Sequence, residues 1–595
     1  MKQEICGRLA ALRKKMAEAG VDIYVVPMGD FHGSEYISDH FRTVRFLTGF
    51  TGSAATVAVT QEDAWLWTDG RYFLQAEQQL EGTGVTLMRA GLPETPSVPD
   101  HLAAQLPESG TLGFDGRVVM LREADAWQKA IQKKQGKLLV TRDLVGEIWD
   151  DRPAMAFGPL FDLPREIYEE EAAAKIARVR AEMEKQGCSA HIISALDEIA
   201  WLLNLRGRDV DCNPVFFSYM LIGRESAKVF LKQSVLSDEI RGRIEAQGAE
   251  IGEYAEFLAA VSGLPADSTV LLDPSRTGSA VRAALPEGSK VKLAADTAVK
   301  FKSVKNASEQ KALRESHRRD GVAMVRFLYW LKHHPDVSEL TEVTAAEHLD
   351  LLRTEMGAFE LSFGTISAYG SNGAIVHYGP RKENCARLAP KGFLLVDSGG
   401  QYLTGTTDIT RTIALGPLSY EEKHYFTAVL RGHLRLQGAI FPKGCTGQNL
   451  DILARGPLWE ERRDYRHGTG HGVGFCLNVH EGPNSFRWQP AFPTPAFEPG
   501  MVTTDEPGYY QTGDFGIRSE NELLCVSAGE DGYGDFLKFE PLTLCPIDRD
   551  AILKEEMDAS EIRLLNEYHA FVWERLKDSL PAPVAAWLRE ETRPL

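Results

Sequence analysis

The sequence predicts two α/β domains followed by one α+β domain. Helical and strand patterns alternate over residues 1–150 and again over residues 165–300. From residue 306 onwards, long helices are mixed with short apolar strands and glycine-rich turns, which is typical of an α+β sheet enclosing a site. A length of 595 residues also favours several domains. The expected limits of the three domains are 1–155, 156–305 and 306–595.

The first predicted domain begins with an amphipathic helix. Ile5, Leu9, Leu12 and Met16 recur at the spacing of one helix face. The turn pair Asp69-Gly70 precedes another helix. Short runs of strand-forming residues predict strands at 22–26, 56–59 and 64–67.

A turn-rich stretch from Asp150 to Pro164 is interpreted as a linker. The second domain is predicted to begin with a charged helix over 165–186. Its order of helix, strand, apolar segment and strand hairpin echoes the first domain. This likeness fits a duplicated module, and it fits equally well the general similarity of α/β domains. The strands of the second domain are expected at 189–193, 218–222 and 227–231.

Two capping boxes mark long helices in the third domain. Asn306 and Glu309 have the spacing at which each side chain bonds to the other residue's backbone N–H, and their helix is expected to run to Pro335. Ser419 and Glu422 have the same spacing and predict a helix to about residue 440.

Composition excludes several function classes. The formal net charge is -18 and no basic stripe is present, so the chain is not expected to bind nucleic acid. No apolar run is long enough to cross a membrane. The N-terminal stretch lacks the apolar core of a signal peptide. The eight cysteines are scattered without paired spacing, which favours reduced thiols in the cytosol.

Five segments of the third domain combine a carboxylate or an imidazole with an apolar strand and a glycine turn. Taken singly, each has an ordinary explanation, because an aspartate at a strand end commonly caps a turn and a histidine in a glycine-rich loop is commonly a surface residue. Together they supply four carboxylates and one imidazole to one domain. The segments are residues 392–399, 406–412, 467–474, 505–509 and 516–522.

Four converging carboxylates would repel one another, and some would become protonated. Two divalent cations would balance four negative charges, and an oxygen-rich ligand set with one imidazole suits a hard metal such as Mn²⁺. Two ions about 3.5–4 Å apart can hold a bridging water and lower its pKa. A nearby carboxylate can then take up the proton. The pattern therefore predicts hydrolysis by a hydroxide that bridges two metal ions.

The same segments carry a family resemblance. The runs VDSGGQYLTGTTDITRT, YRHGTGHGVGFCLNVHEGP and TTDEPGYYQTGDFGIRSENE resemble the cytosolic three-domain Xaa-Pro aminopeptidases of the methionine aminopeptidase/prolidase/creatinase superfamily. The run YGSNGAIVHY resembles the first histidine motif of that family. FRTVRFLTGFTGSAATV, LWTDGRYFLQA and DEIAWLLNLRG resemble its N-terminal and middle domains. The likeness covers essentially the whole chain.

The resemblance implies two creatinase-like α/β domains and a C-terminal pita-bread catalytic domain. Asp408 and Glu520 would bridge the two ions, and Glu506 would also accept a proton from the bridging water. The implied metal ligands are Asp397, Asp408, His471, Glu506 and Glu520.

Four further residues match positions of the family that surround the metals. His377, His467 and His480 correspond to three histidines that orient the substrate and stabilise the tetrahedral intermediate. Arg518 corresponds to an arginine that holds the ligand carboxylates in place.

The implied activity is removal of an N-terminal residue that precedes proline. The substrates would be peptides with proline at the second position, and the cofactor would be two divalent ions, Mn²⁺ in this family. The resemblance also implies a cytoplasmic homodimer. An X-Pro bond has no amide N–H, and a metal pair can polarise its carbonyl without one.

Two other hypotheses about the function stay open. A prolidase cleaves only X-Pro dipeptides and shares the metal ligands, so the ligands do not exclude it. A non-catalytic protein of the same fold would bind peptides or proteins. Such proteins, like the metal-free creatinase, lack the ligands, whereas this chain keeps all five.

Overall fold

The chain divides into two units, which are described separately. The computed structural model describes residues 2–595, apart from the side chains of Leu74 and Asp531. Both predicted α/β domains contribute to the first unit. The N-terminal unit comprises Met1–Asp162, Glu170–Asp211 and Val215–Ala298, and the C-terminal unit comprises Leu163–Glu169, Cys212–Pro214 and Val299–Leu595.

The N-terminal unit contains two six-stranded sheets. In spatial order, the first consists of Thr86–Arg89, Ala64–Thr68, Thr56–Val59, Ile23–Pro27, Thr111–Gly113 and Lys137–Leu139. The second consists of Glu250–Glu253, Ala227–Leu231, Ser218–Gly223, Ala190–Ile193, Thr269–Leu272 and Lys290–Leu293. A two-stranded ribbon pairs Phe161–Asp162 with Leu205–Arg206.

The two sheets have the same topology. In each, one parallel pair is followed by two antiparallel pairs and then two parallel pairs. The shared strand order and directions favour the duplicated module over a general likeness of α/β domains.

Helices flank both sheets. The predicted apolar face of the first helix is confirmed, because Ile5, Leu9, Leu12 and Met16 are all buried in one cluster with residues of the first sheet. The helices of this unit are Lys2–Ala19, Thr43–Thr48, Phe73–Leu80, Val98–Gln105, Leu121–Ile131, Ala172–Lys185, Leu196–Leu203, Asp238–Ala246, Phe257–Ser262 and Ser279–Ala284. A further helix, Thr297–Ser303, spans the change of unit.

The predicted helix over 165–186 is wrong in its first turns. Arg165–Ile167 forms only a single 3₁₀ turn, and the α-helix begins later, as Ala172–Lys185. Ile167 and Tyr168 are buried in an apolar cluster of the C-terminal unit. Burying these two side chains requires a non-helical backbone here, although the charge pattern predicted a helix.

The C-terminal unit is a mixture of short sheets and long helices, as predicted. Its strands are Glu360–Leu361, Ile366–Tyr369, Phe393–Ser398, Gly400–Tyr402, Gly405–Thr406, Ile409–Ala414, Ile440–Pro442, Gly470–His471, Ser485–Phe486, Val502–Asp505, Gly508–Gln511, Phe515–Arg518, Asn521–Asp531 and Gly534–Pro541. Its helices are Ala307–Lys332, Glu342–Glu355, Tyr420–Gln437, Gly447–Glu460, Ala559–Leu576 and Ala582–Glu591.

Both predicted capping boxes are present. Asn306 and Glu309 exchange side-chain-to-backbone hydrogen bonds, and so do Ser419 and Glu422. The first helix ends slightly before its predicted end, at Lys332. The second ends at Gln437, and residues 440–442 form a strand instead of its last turn.

The helix Tyr420–Gln437 supports the strands that carry the candidate site. Phe426 and Val429 are buried with Phe393 and Ile517, which lie on two of those strands. Within the described residues, no helix combines the length and apolar character needed to span a bilayer.

Candidate metal centre

Asp397 and Asp408 are brought together by the register of two buried strands. Phe393–Ser398 pairs antiparallel with Ile409–Ala414, so Asp397 lies across from the start of the second strand. Every residue of both strands is buried. The backbone N–H of Asp408 donates to Oε1 of Glu522 over 2.7 Å. The two carboxylates therefore enter the same buried region from neighbouring strands.

The other three predicted ligands come from further strand ends. The backbone N–H of His471 donates to the Thr504 hydroxyl over 3.0 Å. The backbone N–H of Glu506 donates to the Thr469 carbonyl over 2.8 Å. Glu520 lies in the short link between two strands. These backbone bonds hold the side chains on rigid segments rather than on long loops.

The structure brings the predicted ligands close together. One donor atom from each of Asp408, His471 and Glu520 lies within 4.8 Å of the others. Nε2 of His471 is 3.5 Å from Oδ2 of Asp408 and 3.6 Å from Oε1 of Glu506. Asp397 stands outside this group of three, but its carboxylate is repelled by that of Asp408.

Burial and crowding shift the pKa values of these groups. Burial raises the pKa of Asp397, Glu506 and Glu520, and for Glu520 the nearby negative charges raise the pKa further. Burial alone would lower the pKa of His471. The hydrogen bond to Asp408 and the charge of Glu506 outweigh burial and raise it to about 9. These groups would therefore favour bound protons when no cation offsets their charge.

The donor set fits two divalent cations. Among the described residues, Arg518 pairs with Asp397, and the imidazole of His471 lies beside Asp408 and Glu506. Oδ1 of Asp397 is buried and has no hydrogen-bond partner within the described residues. Oxygen donors with one imidazole suit hard or borderline divalent metals. Bound divalent ions would supply positive charge among the carboxylates and a partner for the orphaned oxygen.

His467 and Arg518 are joined by a tyrosine. Nε2 of His467 is 2.9 Å from the Tyr510 hydroxyl, and that hydroxyl accepts a bond of 2.8 Å from Arg518. Arg518 also donates to Oδ2 of Asp397 over 2.6 Å. Burial and then the charge of Arg518 lower the pKa of His467 to about 3. His467 is therefore a neutral imidazole linked through two side chains to a predicted ligand.

His377 and His480 lie at the exposed side of the centre. The rings of His480 and His471 meet edge to face with their centroids 4.3 Å apart. The charge of His377 acts on His467. Both side chains are exposed, which suits a place where a substrate would enter.

Two residues of the site were not assigned roles from the sequence, Tyr510 and Glu522. Tyr510 lies on the strand Gly508–Gln511, where Tyr509 packs into the core against Tyr425. Strand alternation then directs Tyr510 to the opposite face. That alternation was the available signal. Glu522 holds the backbone of Asp408 across a distance in sequence that no local pattern indicates.

Three glycines let backbones approach each other beside the ligands. A Cβ atom at Gly399, Gly470 or Gly516 would lie 1.8 Å from a backbone carbonyl oxygen. These glycines neighbour Asp397, His471 and Arg518 in the sequence. Any larger residue would push apart the segments that carry the site.

Comparisons with known proteins cover nearly the whole chain. The model of metallopeptidase family M24 matches residues 311–527, and the model of the C-terminal region of that family matches residues 535–595. Two creatinase/prolidase N-terminal domain models match residues 8–145 and 151–309.

The sequence relatives are similar along their full length. Aminopeptidase P1 of Arabidopsis thaliana is 38% identical, over 99% of each chain. A probable Xaa-Pro aminopeptidase P of Laccaria bicolor is 39% identical over 99% of this chain and 93% of its own.

The structural relatives share the fold. The X-prolyl aminopeptidase of Caenorhabditis elegans, a cytosolic enzyme with a dinuclear active site, has a TM-score of 0.92 and 34% identity, with 100% of each chain covered. The prolidase of Pyrococcus horikoshii OT3 is 21% identical, covers 63% of this chain and 99% of its own, and has a TM-score of 0.51, which indicates a shared fold alone.

Proposed function

Because the chain belongs to the aminopeptidase P family of M24 metallopeptidases, we propose that it hydrolyses the bond between an N-terminal residue and a following proline in peptides. The observation that carries the proposal is the convergence of Asp408, His471 and Glu520, with Glu506 beside them. This convergence lies in a chain that matches aminopeptidase P relatives from end to end.

The proposed cofactor is two divalent cations held by Asp397, Asp408, His471, Glu506 and Glu520. When bound, the cations would polarise the scissile carbonyl and activate water as a nucleophile. Mn²⁺ is the proposed metal, because four carboxylates and one imidazole form a hard donor set. The orphaned Oδ1 of Asp397 and the excess negative charge support this cofactor.

Glu506 is proposed to hold the proton that leaves the attacking water. Burial raises the pKa of its carboxyl group, so the group can carry a proton at a pH where an exposed glutamate cannot. The proton would then pass from Glu506 to the proline nitrogen, which leaves as a secondary amine. His377, His467 and His480 are proposed to orient the peptide, with Arg518 fixing Asp397.

Proline at the second position fits this arrangement. The X-Pro bond lacks an N–H, and its ring fixes one backbone angle, so recognition through extended backbone pairing fails there. The site instead presents imidazole and hydroxyl groups, including His467 and Tyr510. These groups can contact a ring and a carbonyl without an amide hydrogen.

The quaternary structure, location and domain limits stay proposals. We propose a homodimer, which is supported by the exposed rings of Trp459, Trp488 and Phe492, since subunit contacts commonly cover such rings. The mass of the protein in solution measures this directly. The cytosolic relative supports a cytoplasmic location. The family matches support domain limits near residues 155 and 305.

The deciding experiment removes metal and then measures cleavage. The chelated protein is assayed with an X-Pro-Y tripeptide and with an X-Pro dipeptide, with and without Mn²⁺. We expect metal-dependent release of the first residue from the tripeptide. Asp408→Asn should lower kcat/KM by about a thousandfold, because it removes one of the carboxylates proposed to hold the ions.

The matched control is Asp550→Asn, the same substitution at an exposed side chain, which should leave activity within about twofold. Cleavage of the dipeptide alone would replace the proposal with a prolidase. Absence of cleavage with every divalent metal would refute catalysis and favour a peptide-binding protein.

A further inference from the structure

A buried ion pair lies on the helix Gly447–Glu460, beside residues 465–469, which include His467. Asp451 and Arg455 lie one helical turn apart, and both side chains are fully buried. Nε of Arg455 donates to Oδ2 of Asp451 over 2.6 Å. This pair fixes the guanidinium group, which leaves its other nitrogens to bind elsewhere.

Those nitrogens bind the backbone at Tyr465 and at His467 itself, and one of them also donates to the carboxylate of Asp464. One Nη atom of Arg455 donates to the Tyr465 carbonyl and the other to the His467 carbonyl, each over 2.7 Å. The guanidinium also lies over the ring of Tyr465, 3.9 Å from its centroid. A single side chain therefore holds the segment at two carbonyls and one ring.

The second oxygen of Asp451 completes the arrangement. Its Oδ1 accepts from the Thr469 hydroxyl over 2.6 Å. The Thr469 hydroxyl oxygen is in turn 2.6 Å from the Tyr465 hydroxyl oxygen. Residues 465–469 are thus bound at both ends to one turn of one helix. Because these groups are buried, the loss of any one of them leaves unpaired partners.

His471 does not depend on this arrangement alone. Its N–H donates to Thr504, and its strand pairs with Ser485–Phe486. His467 lies outside that strand, and its imidazole must reach the Tyr510 hydroxyl. The orientation of the His467 imidazole therefore depends more on Arg455 than the position of His471 does.

We propose that Arg455, held by Asp451, is a positioning residue that aims the imidazole of His467, an inference that rests on the proposed function. Arg455 acts through the backbone of residues 465–469. A lysine cannot reproduce its fork, because an ammonium group lacks the planar geometry that binds two carbonyls and two aspartates at once.

The test is a double-mutant cycle of Arg455→Lys and His467→Ala with an X-Pro-Y peptide. Arg455→Lys should lower kcat/KM about 10- to 100-fold, while the metal content per chain stays that of the unaltered protein. In the His467→Ala background, the same substitution should cost less than about twofold, because its effect passes through the missing imidazole. Equal losses in both backgrounds would refute the inference.

Of two further variants, one tests the arrangement itself and the other controls for a general loss of stability. Thr469→Val removes one hydroxyl of the arrangement and should lower kcat/KM about tenfold. Arg206→Lys is the matched control, because Arg206 is buried in the N-terminal unit and also donates to backbone carbonyls. It should keep kcat/KM within about twofold. An equal loss of kcat/KM in Arg206→Lys would mean that Arg455 acts only through stability.

A crystal structure of Arg455→Lys separates this inference from the proposed function. The distance from Nε2 of His467 to the Tyr510 hydroxyl should lengthen beyond hydrogen-bond reach. An unmoved imidazole would overturn the inference even in an active enzyme. A moved imidazole in a chain that cleaves no peptide would refute the proposed function and keep the positioning role.

Discussion

Buried carboxylates of the C-terminal unit occur in two contrasting settings. Asp320 faces Arg353, whose Nε donates to it over 2.8 Å, and also accepts from Tyr402. Although burial alone would raise the pKa of Asp320, Arg353 lowers it. Glu520 is also buried, but other carboxylates surround it and raise its pKa. The first setting is complete in itself, whereas the second needs positive charge from outside the chain.

The contrast teaches where to look for a ligand. Burial of a charge is common and by itself says little, because a matched partner commonly neutralises it. Burial of several like charges is costly, and a fold keeps such a group when a bound cation offsets the cost. Glu481, held by Lys302 and Lys305, belongs with Asp320 and not with the metal centre.

The largest expected effect concerns two substitutions that each replace a carboxylate by an amide. In the metal-free protein they should change the free energy of unfolding in opposite directions. Asp320→Asn should lower the free energy of unfolding by about 3 kcal/mol, because it leaves Arg353 buried and unpaired. Glu520→Gln should raise it by about 1 kcal/mol or more, because an amide avoids the cost of either crowding or protonating this carboxyl group. Urea unfolding of both variants measures the difference. Destabilisation of similar size in both would abolish the contrast.

The second effect is the dependence of stability on pH. The pKa of His471 is about 9 in the folded, metal-free protein, against about 6.5 in an unfolded chain. Between these values the folded chain holds a proton that the unfolded chain has lost. Stability should therefore fall by up to about 1.4 kcal/mol for each pH unit as the pH rises from 6.5 to 8.5.

The control for this dependence is His471→Asn, which should flatten the slope. Asp320 contributes no slope in that range, because a lowered carboxyl pKa gives stability that is lost only in acid. An unchanged slope in His471→Asn would mean that other groups carry the proton.

The smallest effect is proton release on metal binding. A metal ligand must be deprotonated, so binding of Mn²⁺ at pH 7.5 should release about one proton from His471. Calorimetry in two buffers with different ionisation enthalpies counts the protons. Binding heats that do not depend on the buffer would show that the site is already deprotonated. The chain would then fold with its crowded carboxylates even without a bound proton.

Local signals in the sequence predicted local structure well. The boxes at Asn306 and Ser419 predicted two helix starts, because capping depends on residues only three positions apart. The helix expected from residue 165 began later, since burial of Ile167 and Tyr168 depends on distant partners. Local pattern does not contain that information.

The same division holds at the candidate centre. The motifs selected the predicted ligands, and the structure brings those side chains together, while their individual roles stay predictions. The distances between them depend on strand register, as between Asp397 and its opposing strand. The links made by Tyr510 and Arg455 join residues from separate elements, so spacing along the chain could not predict them.

The close backbone contacts at Gly399, Gly470 and Gly516 have an evolutionary consequence. Each contact leaves no room for a Cβ atom between the glycine and a facing carbonyl oxygen. A descendant that exchanged one of these glycines could keep every polar group and still lose their arrangement. Its lineage would have to shift the facing segment at the same time. Substitution in this chain is therefore constrained by three residues that have no side chain, as well as by the carboxylates beside them.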